Sequence, residues 1–153
     1  MNICERGRET ILIADDDDAV RFILKRILVS AGYCVLEARN GQEAVDLVST
    51  NMGLVDGGIL DISMPLMDGI EARDRISEIA PSMPVMFISA VMERFINRTP
   101  LIEGVNFVRK PYTRQELLSV LRANLDNADR LTYKQQFGAN TVSAVRVPEL
   151  FTG

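Results

Sequence analysis

The feature that most constrains the fold is a repeated alternation of short apolar runs with amphipathic stretches. The apolar runs fall at 10–14, 34–38, 54–62, 85–90 and 105–108, and helical spacing falls at 18–31, 42–50, 69–80, 91–98 and 113–125. The strand runs are apolar along nearly their whole length, a pattern that strands need when both of their faces are covered. Strands alternating with helices in this way predict a parallel sheet with helices on both sides. The expected fold class is therefore α/β, a doubly wound sheet of five strands with five helices.

Local signals punctuate these elements. In the first helix Val20, Ile23, Leu24, Ile27, Leu28 and Ala31 recur at helical spacing and are expected to face inward, with Asp17 or Asp18 as the cap and Gly32 as the stop. Asn40, Asp68 and Thr113 stand where caps of later helices belong. The Gly57-Gly58 pair is unusual, because glycine weakens a strand interior. Pro100 disfavours continuation of the helix at 91–98. The domain is expected over 9–125, after an N-terminal extension at 1–8. Periodicity ends there, so 126–153 reads as a partly ordered tail or an interaction arm, with one β-prone run at 141–147.

Composition removes several function classes. The chain has no histidine, which excludes the usual Ser-His-Asp hydrolases, histidine ligation of zinc, and a phosphohistidine of its own. A formal charge of −4 argues against a nucleic-acid partner. No apolar run is long enough for a membrane span. The expected location is cytoplasmic, where Cys4 and Cys34 would be reduced and inert.

In an open parallel sheet, sites form at the carboxyl ends of the strands. The predicted strands end at Asp15-Asp16-Asp17-Asp18, at Asp61, at Ser89-Ala90 and just before Lys110-Pro111. Each feature alone has an ordinary explanation: a solvated helix start, a turn serine, a surface lysine. Asp61 is harder to explain so, because it stands at the mouth of a buried strand, where an unpaired carboxylate is costly. Gathered on one edge, the set suits chemistry on phosphate. Clustered carboxylates form a hard oxygen site for Mg²⁺, an ionised aspartate can attack phosphorus, and Lys110 and Ser89 could stabilise the transferring group.

The stretches Ile11-Leu12-Ile13-Ala14-Asp15-Asp16-Asp17, Leu60-Asp61-Ile62-Ser63-Met64-Pro65-Leu66-Met67-Asp68-Gly69, Pro84-Val85-Met86-Phe87-Ile88-Ser89-Ala90 and Phe107-Val108-Arg109-Lys110-Pro111-Tyr112 resemble the response-regulator receiver family. The stretch from Pro100 to Pro111 looks like receivers at the ends of hybrid histidine kinases. The resemblance implies a flavodoxin-like sheet in the order 2-1-3-4-5. It implies that Asp61 is the phospho-acceptor, that Asp15, Asp16, Asp61 and the main-chain oxygen of Ser63 hold Mg²⁺, and that Lys110, Ser89 and Ala90 bind the phosphoryl group. Phe107 would be an aromatic switch residue that follows Ser89. The implied partners are a sensor histidine kinase or histidine phosphotransfer protein and an output protein, and a homodimer is compatible with this. The chain would be a signalling receiver rather than an enzyme acting on other substrates. Neither Ser63 nor Val91 offers an acid or amide to position water, so slow self-dephosphorylation is expected. Two alternatives stay open: a receiver-like interaction module that is not phosphorylated, and a phosphatase resembling the haloacid dehalogenases, built on Asp15, Asp17, Ser89 and Lys110.

Overall fold

The computed structural model describes residues 8–90 and 100–137. The elements in order are β1 (Thr10–Ala14), α1 (Asp18–Ser30), β2 (Cys34–Ala38), α2 (Gly41–Thr50), β3 (Gly57–Asp61), α3 (Gly69–Ile79), β4 (Val85–Ser89), β5 (Phe107–Arg109) and α4 (Arg114–Phe137). The five strands form one sheet in the order β2-β1-β3-β4-β5, and every pairing is parallel. This is the doubly wound order that the resemblance implied. The expected helix at 91–98 and the β-prone run at 141–147 lie outside the described residues.

Alternate strand residues feed two separate cores, as a period of two requires. Leu12, Ala14, Leu60, Phe87 and Phe107 pack with Ala44, Val45 and Val48 of α2 and with Ile70, Ala72 and Ile76 of α3. Ile11, Ile13, Ile59, Met86, Ile88 and Val108 pack with Leu24 and Leu28 of α1 and with Leu117, Leu121 and Leu125 of α4. The sheet is thus sandwiched between α2 and α3 on one side and α1 and α4 on the other.

The helix starts are set by short polar side chains. Asp17 caps α1, accepting from the N–H groups of Ala19 and Val20, while Asn40 accepts from Glu43 and Asp68 from Glu71. Thr113 and Glu116 close a reciprocal capping box at α4: each side chain accepts the other's backbone N–H at 3.1 Å. Gly32 ends the turn after α1 at φ 96°, a conformation that suits glycine.

Four expectations need correction. Strand β3 begins at Gly57 rather than at residue 54, and Leu54 is 65% exposed. At α1, Ile23 and the C-cap residue Ala31 are exposed rather than inward, and Arg21 is buried. The last helix does not stop at Leu125 but runs to Phe137. Residues 126–137 lack an apolar stripe, yet extending a helix that has already nucleated costs little, and half of these residues (Ala128, Arg130, Leu131, Lys134, Gln135 and Gln136) are good helix formers. Finally, Cys34 is disulfide-bonded rather than a free thiol. Compartment chemistry suggested otherwise, but it says nothing of whether a fold brings sulfur atoms together.

The Gly57-Gly58 pair acquires a reason. A Cβ on Gly57 would lie 2.8 Å from Leu125 Cδ2, and one on Gly58 would lie 3.1 Å from Met83 Cε. The glycines let α4 and the α3–β4 turn sit close against the centre of the sheet. Gly57→Ala is expected to displace Leu125 and to destabilise the fold by about 1–2 kcal/mol. The measurement is the urea midpoint, which should fall with no change in the slope of the transition.

Candidate functional site

Because all five strands run the same way, their carboxyl ends share one edge. Asp15 follows the last residue of β1, Asp61 closes β3, Ser89 closes β4, and Lys110 follows β5. Asp15, Asp61 and Ser89 are buried, Lys110 is part-buried, and Asp16, Ser63 and Ala90 are exposed. The edge is thus lined by buried charge with an open outer side.

Lys110 joins the two buried acids. Its Nζ donates to Asp15 Oδ2 at 3.0 Å and to Asp61 Oδ2 at 3.1 Å. The other carboxylate oxygens accept main-chain groups: Asp17 N–H donates to Asp15 Oδ1 at 2.9 Å and Ser63 N–H to Asp61 Oδ1 at 3.2 Å. The backbone N–H of Lys110 donates to Ser89 O at 3.0 Å, so the ammonium and the serine arrive as one unit. Phe107 is fully buried between the strand edge and the α2–α3 core.

The electrostatics follow from burial. Desolvation raises Asp61 from an ordinary value of 3.8 to about 6; the charge of Lys110 opposes the rise and that of Asp15 adds to it. For Lys110 desolvation pulls downward, but its hydrogen bond to Asp15 and the charges of both carboxylates outweigh it and raise its pKa. One carboxylate oxygen each from Asp15, Asp16 and Asp61 lie within 4.8 Å of one another. Three hard oxygen donors at this spacing, two of them on buried side chains, fit a small divalent cation such as Mg²⁺.

Of the residues expected at the site, the fold brings Asp15, Asp16, Asp61, Ser63, Ser89, Ala90 and Lys110 to this edge, while Phe107 opens β5 opposite Phe87, two positions back from it. Val91 lies outside the described residues. Two glycines behind the edge were not assigned a role. A Cβ on Gly69 would lie 2.3 Å from the carbonyl oxygen of Asp61, and one on Gly41 would lie 2.4 Å from that of Met67. Both glycines let a helix start press against the segment that follows β3, between Asp61 and Met67. That segment also holds Leu66 at φ 69°, a left-handed backbone uncommon for leucine. Gly69 stands in a motif that sequence reading had matched, but the contact of Gly41 crosses 26 positions of chain and leaves no local signal.

A five-stranded parallel sheet with an acid pair, a third acid and a lysine converging at its carboxyl edge defines a receiver-type scaffold. The family model described as the response regulator receiver domain matches residues 11–122, and the chain belongs to that family. Among curated relatives, it is 37% identical over 119 residues to the response regulator MprA of Mycobacterium sp. (strain KMS), covering 75% of this chain and 50% of that one. It is 32% identical over 124 residues to the sensor kinase CckA of Brucella abortus (strain 2308), covering 80% of this chain and 13% of that one. The chain thus spans half or less of the length of these relatives. Among solved structures, the receiver domain of the hybrid histidine kinase CckA is similar at a TM-score of 0.63 and 35% identity, covering 76% of this chain and 98% of that one. A response regulator receiver protein from Sinorhizobium medicae WSM419 gives a TM-score of 0.72 at 24% identity, covering 81% and 99%, which speaks for the fold. CheY in the CheX-CheY-BeF3-Mg complex from Borrelia burgdorferi gives 0.66 at 29% identity, covering 75% and 87%. The likeness to hybrid-kinase receivers noted in the sequence is thus matched by CckA in both comparisons.

The phosphatase alternative finds no footing. It needs an acidic pair at a strand end after Lys110. Among the described residues, the acids after Lys110 are Glu116, Asp126 and Asp129, and all three lie on α4.

Proposed function

We propose that this receiver accepts a phosphoryl group on Asp61 from a phosphohistidine of a sensor histidine kinase or histidine phosphotransfer protein. The observation that carries the reading is the bridging of Asp15 and Asp61 by one ammonium, with Asp16 alongside on the open side of the edge. An Asp61 oxygen would form the new O–P bond as the P–N bond to the donor imidazole breaks, giving an aspartyl phosphate. Asp15, Asp16, Asp61 and the main-chain oxygen of Ser63 would hold Mg²⁺, which neutralises charge on the transferring phosphoryl group. The Borrelia CheY relative, whose complex contains Mg²⁺, supports this assignment. Lys110 would move from the Asp15–Asp61 pair onto a phosphoryl oxygen, with Ser89 and Ala90 completing the cradle. Phe107 would then repack as Ser89 shifts, and an output protein would read the change. Homodimerisation is compatible with this scheme, and the exchange would take place in the cytoplasm. The chain would act as a switch, with no substrate other than its own acceptor.

Acetyl phosphate with MgCl2 is expected to add one phosphoryl group to the chain, detected by intact mass. Chelation with EDTA is expected to abolish the gain. After the donor is removed the label should persist longer than in a variant carrying Ser63→Asn and Val91→Glu, which can hold water against phosphorus. Equal gain with and without Mg²⁺ would contradict the metal assignment.

A further inference from the structure

Arg21 is a buried charge that neither the apolar cores nor the phosphoryl-accepting set explains. It shares the inward stripe of α1 with Leu24 and Leu28, and its side chain is only 9% exposed. Its Nη1 donates to the main-chain oxygen of Asp15 at 2.7 Å. Its Nη2 pairs with the Asp18 carboxylate, and its Nε lies 3.5 Å from Glu37 Oε1. Glu37 sits on β2 beside Ile13 of β1 and is also held by Lys25 at 3.0 Å. One planar guanidinium therefore ties the end of β1 to the first turn of α1 and to β2, which the fork geometry of arginine permits.

The contact with Asp15 bears on the acidic edge directly. The oxygen that Arg21 holds belongs to the peptide unit joining Asp15 to Asp16, and that unit is planar. On the other side of the Asp15 α-carbon, its N–H donates to Ala38 O at 3.2 Å. The backbone is thus fixed on both sides of Asp15, and the two carboxylates leave it in set directions. The Asp15 carboxylate meets Asp17 N–H and Lys110, and the Asp16 carboxylate lies in the cluster with Asp61.

We propose that Arg21 is a positioning residue for divalent-cation binding, holding the Asp15–Asp16 peptide plane so that both carboxylates aim at one ion. The inference rests on the metal-binding reading above. Two effects of Arg21 oppose each other. As a cation it repels Mg²⁺, so its removal would tighten binding. As an orienting donor its removal loosens binding, and outer groups of this kind typically change affinity about 10–100-fold. Its charge is already paired with Asp18 and Glu37, so the loss of orientation prevails.

The test is calorimetric titration of MgCl2 into the full chain, comparing the native protein with Arg21→Met and Arg21→Lys and checking each fold by circular dichroism. Arg21→Met is expected to raise the half-saturating Mg²⁺ concentration about 10-fold. Arg21→Lys, which keeps a donor for the Asp15 oxygen, is expected to fall between the two. The rate of phosphorylation by acetyl phosphate should recover in both variants at saturating Mg²⁺. A folded Arg21→Met protein that binds Mg²⁺ as tightly as the native protein, or more tightly, overturns the inference. If Arg21→Met does not fold, an unchanged midpoint in Arg21→Lys overturns it and a raised one supports it. A native protein that binds no Mg²⁺ removes the metal reading and the role of Arg21 together, an outcome distinct from failure of the Arg21 step alone.

Discussion

Lys110→Met is expected to abolish detectable phosphorylation by acetyl phosphate and to destabilise the metal-free protein at neutral pH by about 2–3 kcal/mol. The ammonium is shared by Asp15 and Asp61, at 3.0 and 3.1 Å, and both carboxylates are buried. Methionine fills a similar volume but leaves two like charges facing each other without a counter-charge. One of them must then take up a proton or move toward water. The stability loss should shrink when MgCl2 is added, because the ion supplies the missing positive charge. Phosphorylation should not return with it, because the positive group proposed to meet the transferring phosphoryl oxygens is gone. Guanidinium unfolding with and without Mg²⁺, read beside intact mass, checks both halves. The effect should also be non-additive with Asp61→Asn, which removes one of the two acids that Lys110 serves.

Asp61→Asn is expected to make the metal-free protein more stable at pH 7, by about 1–2 kcal/mol after allowance for solvent screening. The sign follows from the direction of the shift. Burial raises Asp61 from 3.8 to about 6, so the folded chain holds the proton more tightly than the unfolded one. The ionised carboxylate therefore costs stability in full above about pH 6. The cost fades as pH falls from there toward 3.8, and below that value both states are protonated and it is gone. Asparagine does not titrate, so the advantage of the variant should be present at pH 7 and lost near pH 4. Lys110 keeps its bond to Asp15 in the variant, so no buried ammonium is stranded. Added Mg²⁺ should reverse the order at neutral pH, because it stabilises the native cluster more than the variant. Thermal unfolding across pH, with EDTA and with MgCl2, reads all of this.

The fold was legible where the physics is local or periodic. Strands covered on both faces advertise themselves as unbroken apolar runs, and Asp17, Asn40, Asp68 and Thr113 act on N–H groups a few positions away. Strand direction then placed Asp15, Asp61, Ser89 and Lys110 on one edge. Less was legible where a partner lies far along the chain. Leu54 read as strand by its apolar character, although the strand starts only at Gly57, where Leu125 closes over the glycine. Gly41 was given no role beside the expected cap Asn40, and its close approach to Met67 O shows only in three dimensions. Arg21 was given no role, yet it stands three and seven positions before Leu24 and Leu28, a spacing that puts it on the buried stripe. That spacing was the available signal, outweighed by the apolar character of Ile23, which faces out.

In the proposed function, the edge formed by Asp15, Asp16, Asp61 and Lys110 serves to place a phosphoryl group on Asp61. Intact mass after incubation with acetyl phosphate and MgCl2, for the native chain and for folded Asp61→Asn, tests it most directly. The native chain is expected to gain one phosphoryl group and the variant none. A native chain that gains nothing while binding Mg²⁺ normally, or a variant that gains as much as the native chain, would contradict that function.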